Sequence, residues 1–183
     1  MSESLTFQAP GLIALRAPRG LPGLAPLELE MFEIIRAEQR IDEIAIVNAI
    51  RAPELLKTFN KAYLQLRQYI SALEFEYETA VKYQGEVRAT IILDDAPRVL
   101  RERNLVSEKN PSGSVDQREA VVALDERFKK ISEVVNSLKC FISLLEGKKD
   151  AIEKAYTSVK RILPDNSTRR PNPNLVVTPH GGS

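Results

Sequence analysis

Tryptophan is absent from this chain, cysteine and histidine occur once each, and glycine is scarce at 8 of 183 residues. Each shortage excludes something. The lone Cys140 cannot close an internal disulfide, which fits a reducing compartment, and with a single histidine there is no ligand set for zinc. His180 sits in a Gly-rich tail far from Cys140 in sequence, so nucleophilic catalysis has little to work with. The internal glycines Gly85, Gly113 and Gly147 are isolated and form neither a phosphate-cradling loop nor a dinucleotide fingerprint. A charge excess of one sign is also missing: 26 basic against 25 acidic residues leave +1, so binding to nucleic acid or an acidic surface has to come from a local patch. The opening residues hold acidic Glu3, no basic residue before Arg16, and only the short apolar run Leu12 to Leu15. Neither a signal peptide nor a transmembrane helix is expected there, and the expected location is the cytoplasm.

What is abundant favours helix. Leu, Ala, Glu, Lys, Arg and Ile dominate, and a hydrophobic content of 43% suffices for a core. Pro10, Pro18, Pro22 and Pro26 with Gly11, Gly20 and Gly23 make residues 1–26 read as an extended arm, anchored by Leu12, Ile13, Leu15, Leu21 and Leu24. Residues 164–183, with Pro171, Pro173 and Pro179 among Asn, Ser and Thr, read as a disordered tail. The helical domain is expected between them, over 27–163.

From Val115 to Leu163 the residues Val121, Leu124, Phe128, Ile131, Val135, Leu138, Ile142, Leu145, Ile152, Tyr156, Val159 and Leu163 are spaced by three and four, broken only by Lys149. Such spacing keeps an apolar stripe aligned with a partner helix. Ser114 and Gln117 make a capping box at its start and Pro164 stops it, so one helix of roughly 70 Å is expected over 115–163. Leu56, Phe59, Tyr63, Leu66, Ile70, Leu73, Tyr77, Ala80, Val87 and Ile91 carry the same register over 53–93, with Gln84 the exception and Pro53 at the first turn. Asn110, Pro111 and Gly113 mark a turn in the tip, 94–114. The fold class is therefore all-α: a long antiparallel, coiled-coil-like hairpin with an additional N-terminal helix over 27–50. Ala120, Val134, Phe141, Leu144, Ala155 and Ile162 lie outside the seam, and one partner helix cannot cover them, which points to a homo-oligomer.

The remaining chemistry is charge. Asp94 and Asp95 adjoin Ala96 and Pro97 at a helix boundary and read as caps rather than metal ligands. Cys140 falls off the main seam and reads as a partly buried flank residue. Tyr63 and Tyr77 are seam positions, whereas Tyr69 and Tyr83 stay open to a stacking role. Residues 27–54 are rich in acids and 148–170 in bases, which suggests complementary contacts within or between subunits. A phosphate-binding surface is the sharper reading of the basic end, with Lys148, Lys149, Lys154, Lys160 and Arg161. A second basic candidate is the hairpin tip, where nearby acids nearly cancel the arginines.

One stretch carries a family resemblance. The run Glu119, Ala120, Val121, Val122, Ala123, Leu124, Asp125 is followed by an apolar-periodic helix, then by Asp150, Ala151, Ile152 and a closing Val159, Lys160, Arg161, Ile162. Over residues 119–162 this resembles the UvsY-type recombination mediators of tailed bacteriophages, small all-helical proteins that load a RecA-like recombinase onto single-stranded DNA. Family members carry a compact basic and aromatic stretch at the end of the preceding helix. Here that region reads Tyr83, Gln84, Gly85, Glu86, Val87, Arg88, Ala89, Thr90, with only Arg88 and nearby Lys82 basic. The resemblance implies a non-enzymatic, oligomeric mediator with no cofactor or metal, whose partners are single-stranded DNA, a RecA-like recombinase and a single-strand-binding protein, with no membrane. The phosphate contacts then expected are Lys82, Arg88, Arg98, Arg101 and Arg103. The competing class is a structural or scaffolding helical assembly protein, including a virion component, without nucleic-acid binding.

Overall fold

The computed structural model describes residues 14–163. The expectations of apolar anchors at Leu12 and Ile13, of an inert His180 and of a disordered tail over 164–183 lie outside those residues.

A long antiparallel helical hairpin is the framework, as its two periodic sequences require. Helix α2 spans Ala52–Thr90, and α5 spans Glu126–Lys160. Ile131, Leu138, Leu145, Ile152 and Val159, every seventh residue of α5, are buried, as are Phe59, Leu66, Leu73 and Ala80 of α2. The alternate seam positions, such as Tyr63, Tyr77, Val135 and Ile142, are only half-buried, because a two-helix contact covers the centre of each stripe better than its edge. The polar seam residue Gln84 is accommodated by a cross-hairpin hydrogen bond from its Nε2 to Ser132 Oγ, 2.8 Å.

The first arm does not stop at the Asp94, Asp95, Ala96, Pro97 cluster. It runs through a π-helical turn, Ile91–Asp95, into α3, Ala96–Glu102, as a single rod. Pro97 has no N–H and its ring would strike the carbonyl of Leu93 in a regular α-helix; the wider turn just before it relieves that clash.

The second arm, conversely, is not continuous from 115 to 163. Helix α4, Val115–Leu124, ends where Asp125 adopts ψ 126°, and α5 starts there. The Asp125 carboxylate accepts the backbone N–H of Arg127 at 2.8 Å and of Phe128 at 3.4 Å, an N-cap that competes with helix continuation. The register slips accordingly: Val122 is buried, while the expected seam residue Leu124 is 66% exposed. The capping box at the start of α4 forms as read, with Ser114 Oγ accepting from Gln117 N and Gln117 Oε1 from Ser114 N.

The largest departure is N-terminal. The additional N-terminal helix is present but shorter than 27–50: Leu27–Glu30 is a strand (β2), followed by the helix α1, Phe32–Gln39, and a 3-10 turn, Ile41–Ile46. Part of the expected arm is also ordered: β1, Ala14–Ala17, pairs antiparallel with β2, placing Ala14 opposite Glu30 and Ala17 opposite Leu27. Leu27, Leu29 and Met31 alternate with Glu28 and Glu30, a period of two that places Leu29 and Met31 inside.

This β-hairpin is a strap laid against the helices. At its bend Gly20 donates its N–H to the Glu76 carboxylate at 2.7 Å, and Arg19 Nε pairs with the same group at 2.7 Å. Glu76 is the sole buried charged side chain among the described residues, and these two partners offset its desolvation. At the other end Gln65 Nε2 and Tyr69 Oη donate to Glu30 O, both at 3.0 Å.

The acidic segment finds its bases within the chain. Lys148 Nζ reaches Glu38 at 2.5 Å, Lys61 Nζ reaches Glu33 at 2.7 Å, and Arg40 bridges Glu43 and Glu54. Among the described residues no helix is long and apolar enough to cross a membrane.

Candidate nucleic-acid interface

Lys82, Arg88, Arg98, Arg101 and Arg103 lie on or directly beyond the rod formed by α2, the π turn and α3, and all five are exposed. At 1.5 Å per residue they extend over roughly 30 Å, enough for several phosphates of a single strand. They do not share one face. Arg98 and Arg101 are one turn apart and neighbours, whereas Lys82 and Arg88, six residues apart, diverge around the helix.

Their charges are unequally available. Arg88 is paired with Glu119 on α4, and Arg98 Nη2 with Asp95 at 3.2 Å. Arg101 Nε donates to the carbonyl of Pro97 at 3.0 Å, which fixes its stem and leaves its terminal nitrogens outward. Lys82 and Arg103 make no side-chain hydrogen bond or ion pair among the described residues, so Arg101, Arg103 and Lys82 carry the accessible positive charge. At the other end, Lys148 is occupied by Glu38, while Lys154, Lys160 and Arg161 are exposed.

Arg127, which the sequence pattern does not single out, is the most engaged cation near the tip. Its Nη2 reaches Asp95 at 2.5 Å and Asp125 at 2.8 Å, and its Nε reaches Asp125 at 3.1 Å. Its hydrogen bonds to Asp125 and then to Asp95 raise its pKa above the ordinary arginine value, and the hydrogen bond that the Asp125 carboxylate accepts from Arg127 in turn holds that carboxyl below the usual aspartate value. It sits just off the seam, three residues ahead of Lys130; only the Asp125 cap signal in the sequence points to it.

The open tyrosines are now placed. The Tyr69 hydroxyl donates to the strap carbonyl of Glu30, which fixes the orientation of its half-buried ring, and Tyr83 is half-buried beside the core. Cys140, expected to be partly buried, is exposed, because its α5 position faces away from α2. Among the described residues no group of three or more His, Cys, Asp or Glu side chains is arranged to hold a metal ion.

Set beside known proteins, the chain finds no counterpart: no family model, no curated protein and no solved structure matches it.

Proposed function

We propose that this chain is a non-enzymatic recombination mediator that binds single-stranded DNA as a homo-oligomer and helps a RecA-like recombinase displace a single-strand-binding protein. The observation that carries this reading is the placement of Lys82, Arg88, Arg98, Arg101 and Arg103 in the open along a rigid rod toward the closed end of the hairpin. The stretch resembling the UvsY-type mediators, 119–162, corresponds to the second half of α4 and all of α5. Leu64, Phe75 and Leu93 are exposed on the side of the rod opposite the α5 seam, which supports self-association. Several copies of a modest basic patch on one strand bind with high effective concentration, which compensates for the weak charge of each.

Fluorescence anisotropy with a labelled oligothymidylate, run from low to high salt beside light scattering, tests it. Salt-sensitive, sequence-indifferent binding by an oligomer is expected. Absence of binding at low salt moves the assignment to the second reading, a structural or scaffolding helical assembly protein. That reading is favoured by the internal pairing of Arg88 with Glu119 and of Arg98 with Asp95, which weakens the tip as a phosphate site.

A further inference from the structure

The strap does more than cover the seam. Between its bend, Pro18 to Pro26, and the start of α5 lies a cleft of about 380 Å³, within the size range of pockets that hold a ligand. Its walls are mostly apolar: Leu21 and Leu24 from the bend face Ile131 and Val134 of α5. Leu21 and Leu24 are 43% and 51% exposed, so the bend presents leucines that this chain leaves partly uncovered.

The charged groups lining the cleft are Arg19, Arg127 and Lys130, with no acid among them. The acids that pair with two of these cations fix their stems without exhausting their donors. Glu76 forms an ion pair with Arg19 Nε at 2.7 Å without hydrogen-bond alignment, and Asp95 and Asp125 accept from Arg127 Nε and Nη2. Among the described residues, both terminal nitrogens of Arg19, Nη1 of Arg127 and the whole Lys130 ammonium have no acceptor. A guanidinium carries five N–H donors, so each arginine can hold its internal carboxylate and donate to a second. The cleft is also preformed. Gly20 is seated so closely on α2 that a Cβ there would lie 2.3 Å from the carbonyl oxygen of Glu76, and the prolines of the bend restrict its backbone.

We propose that this cleft docks an acidic peptide segment of a protein partner. The segment inserts one bulky apolar side chain between Leu24 and Ile131 and sets its flanking carboxylates on Lys130, Arg127 and Arg19. An apolar slot rimmed by cations favours this occupant over single-stranded nucleic acid, because half-buried Tyr83 is the one aromatic side chain in its lining, whereas a strand of bases is held by a series of stacking platforms. It shares no residue with the tip cluster, so it stands or falls independently of DNA binding there.

The test uses the full chain and a fluorescein-labelled peptide of aspartates flanking one phenylalanine, followed by anisotropy. Saturable binding is expected, weakened about tenfold or more by Lys130→Glu, by Leu24→Asp, and by replacing the peptide's phenylalanine with alanine. Lys130 and Leu24 are exposed, so circular dichroism should show both variants folded. Arg101→Glu, at the tip, should leave peptide binding unchanged. Equal binding of a peptide with asparagine in place of aspartate would overturn the proposal, as would unchanged affinity in Lys130→Glu. Displacement of the peptide by oligothymidylate, together with loss of oligothymidylate binding in Lys130→Glu, would overturn it in favour of a nucleic-acid cleft.

Discussion

Arg127 at the start of α5 reaches across the hairpin to Asp95, the last residue of the π turn, at 2.5 Å. Each arm has one irregularity, the widened turn before Pro97 and the break at Asp125, and this ion pair shows that the two lie side by side. Because Arg127 also holds Asp125, a single guanidinium ties both departures from regular helix together. Beyond it lie the continuation of the rod in α3, the turn and α4, whose buried residues Ala96, Leu100 and Val122 pack apart from the main core.

The tie makes a pH-dependent prediction. The Asp125 carboxyl is held below the ordinary aspartate value of 3.8, chiefly by the Arg127 side chain. A depressed folded-state pKa contributes stability that is present above the unfolded value and lost as pH falls through the folded one. Asp125→Asn keeps an N-cap and removes the charge. Its melting temperature should fall below that of the unmodified protein near neutral pH, by about 1–4 °C given solvent screening of an exposed pair. The difference should begin to close as pH falls through about 4 and vanish only below the lowered folded-state value. A gap that persists at low pH would show that charge is not the cause.

The seam gives the largest expected effect. Leu138 is fully buried, so Leu138→Ala should cost roughly 2–5 kcal/mol in urea unfolding. Leu144, on the same helix but 50% exposed, should cost under about half a kcal/mol when changed to Ala. Equal effects would mean that α5 packs on a different face.

How much of this was legible in the sequence depends on the range of the interaction. The heptad spacing of Leu138, Leu145 and Ile152 reports burial directly, so the hairpin and its direction could be read. The break at Asp125 was hidden because the spacing of Val121, Leu124 and Phe128 runs straight through it; a local cap competed with a pattern and prevailed. The strap was hidden for a related reason. Leu27, Leu29 and Met31 alternate over too few residues to stand out against the helix-compatible run that follows, and the Gly20 to Glu76 hydrogen bond joins residues far apart in sequence. At the tip, the sequence located the arginines and the near-cancelling acids but not which acid takes which arginine. That depends on α4 lying beside the rod, which brings Glu119 to Arg88.

Gly20 tests the strap. With a Cβ at this position 2.3 Å from Glu76 O and 3.0 Å from Ala80 N, both backbone atoms, Gly20→Ala cannot be absorbed by a side-chain shift. A loss of roughly 1–3 kcal/mol is expected from the overpacking. Hydrogen exchange should show faster exchange over Ala14–Glu30 while the centres of α2 and α5 stay protected. Gly23→Ala, which meets nothing within 4 Å but has φ +81°, should cost only about 1–2 kcal/mol of backbone strain and leave the strap docked.

The tip cations can be separated from the fold more cleanly with the ion pairs known. Replacing Arg88 by Glu would set an acid against Glu119 and remove the ion pair that ties α4 to the end of α2, so a fall in DNA binding in that variant would be ambiguous. Arg101 and Arg103 avoid the difficulty, because neither pairs with an acid among the described residues. If they hold phosphates, Arg101→Glu with Arg103→Glu should weaken oligothymidylate binding at low salt. It should also flatten the dependence of log affinity on log salt by about one unit for every phosphate that each strand-bound protomer no longer neutralises. Helical content, oligomer mass and the Leu138-sensitive unfolding transition should be unchanged, since both side chains are exposed and outside the seam. An unchanged salt slope in this variant, with binding intact in the unmodified protein, would move the interface to the exposed Lys154, Lys160 and Arg161 near the end of α5. The same titration on variants there would then decide between the two ends of the hairpin.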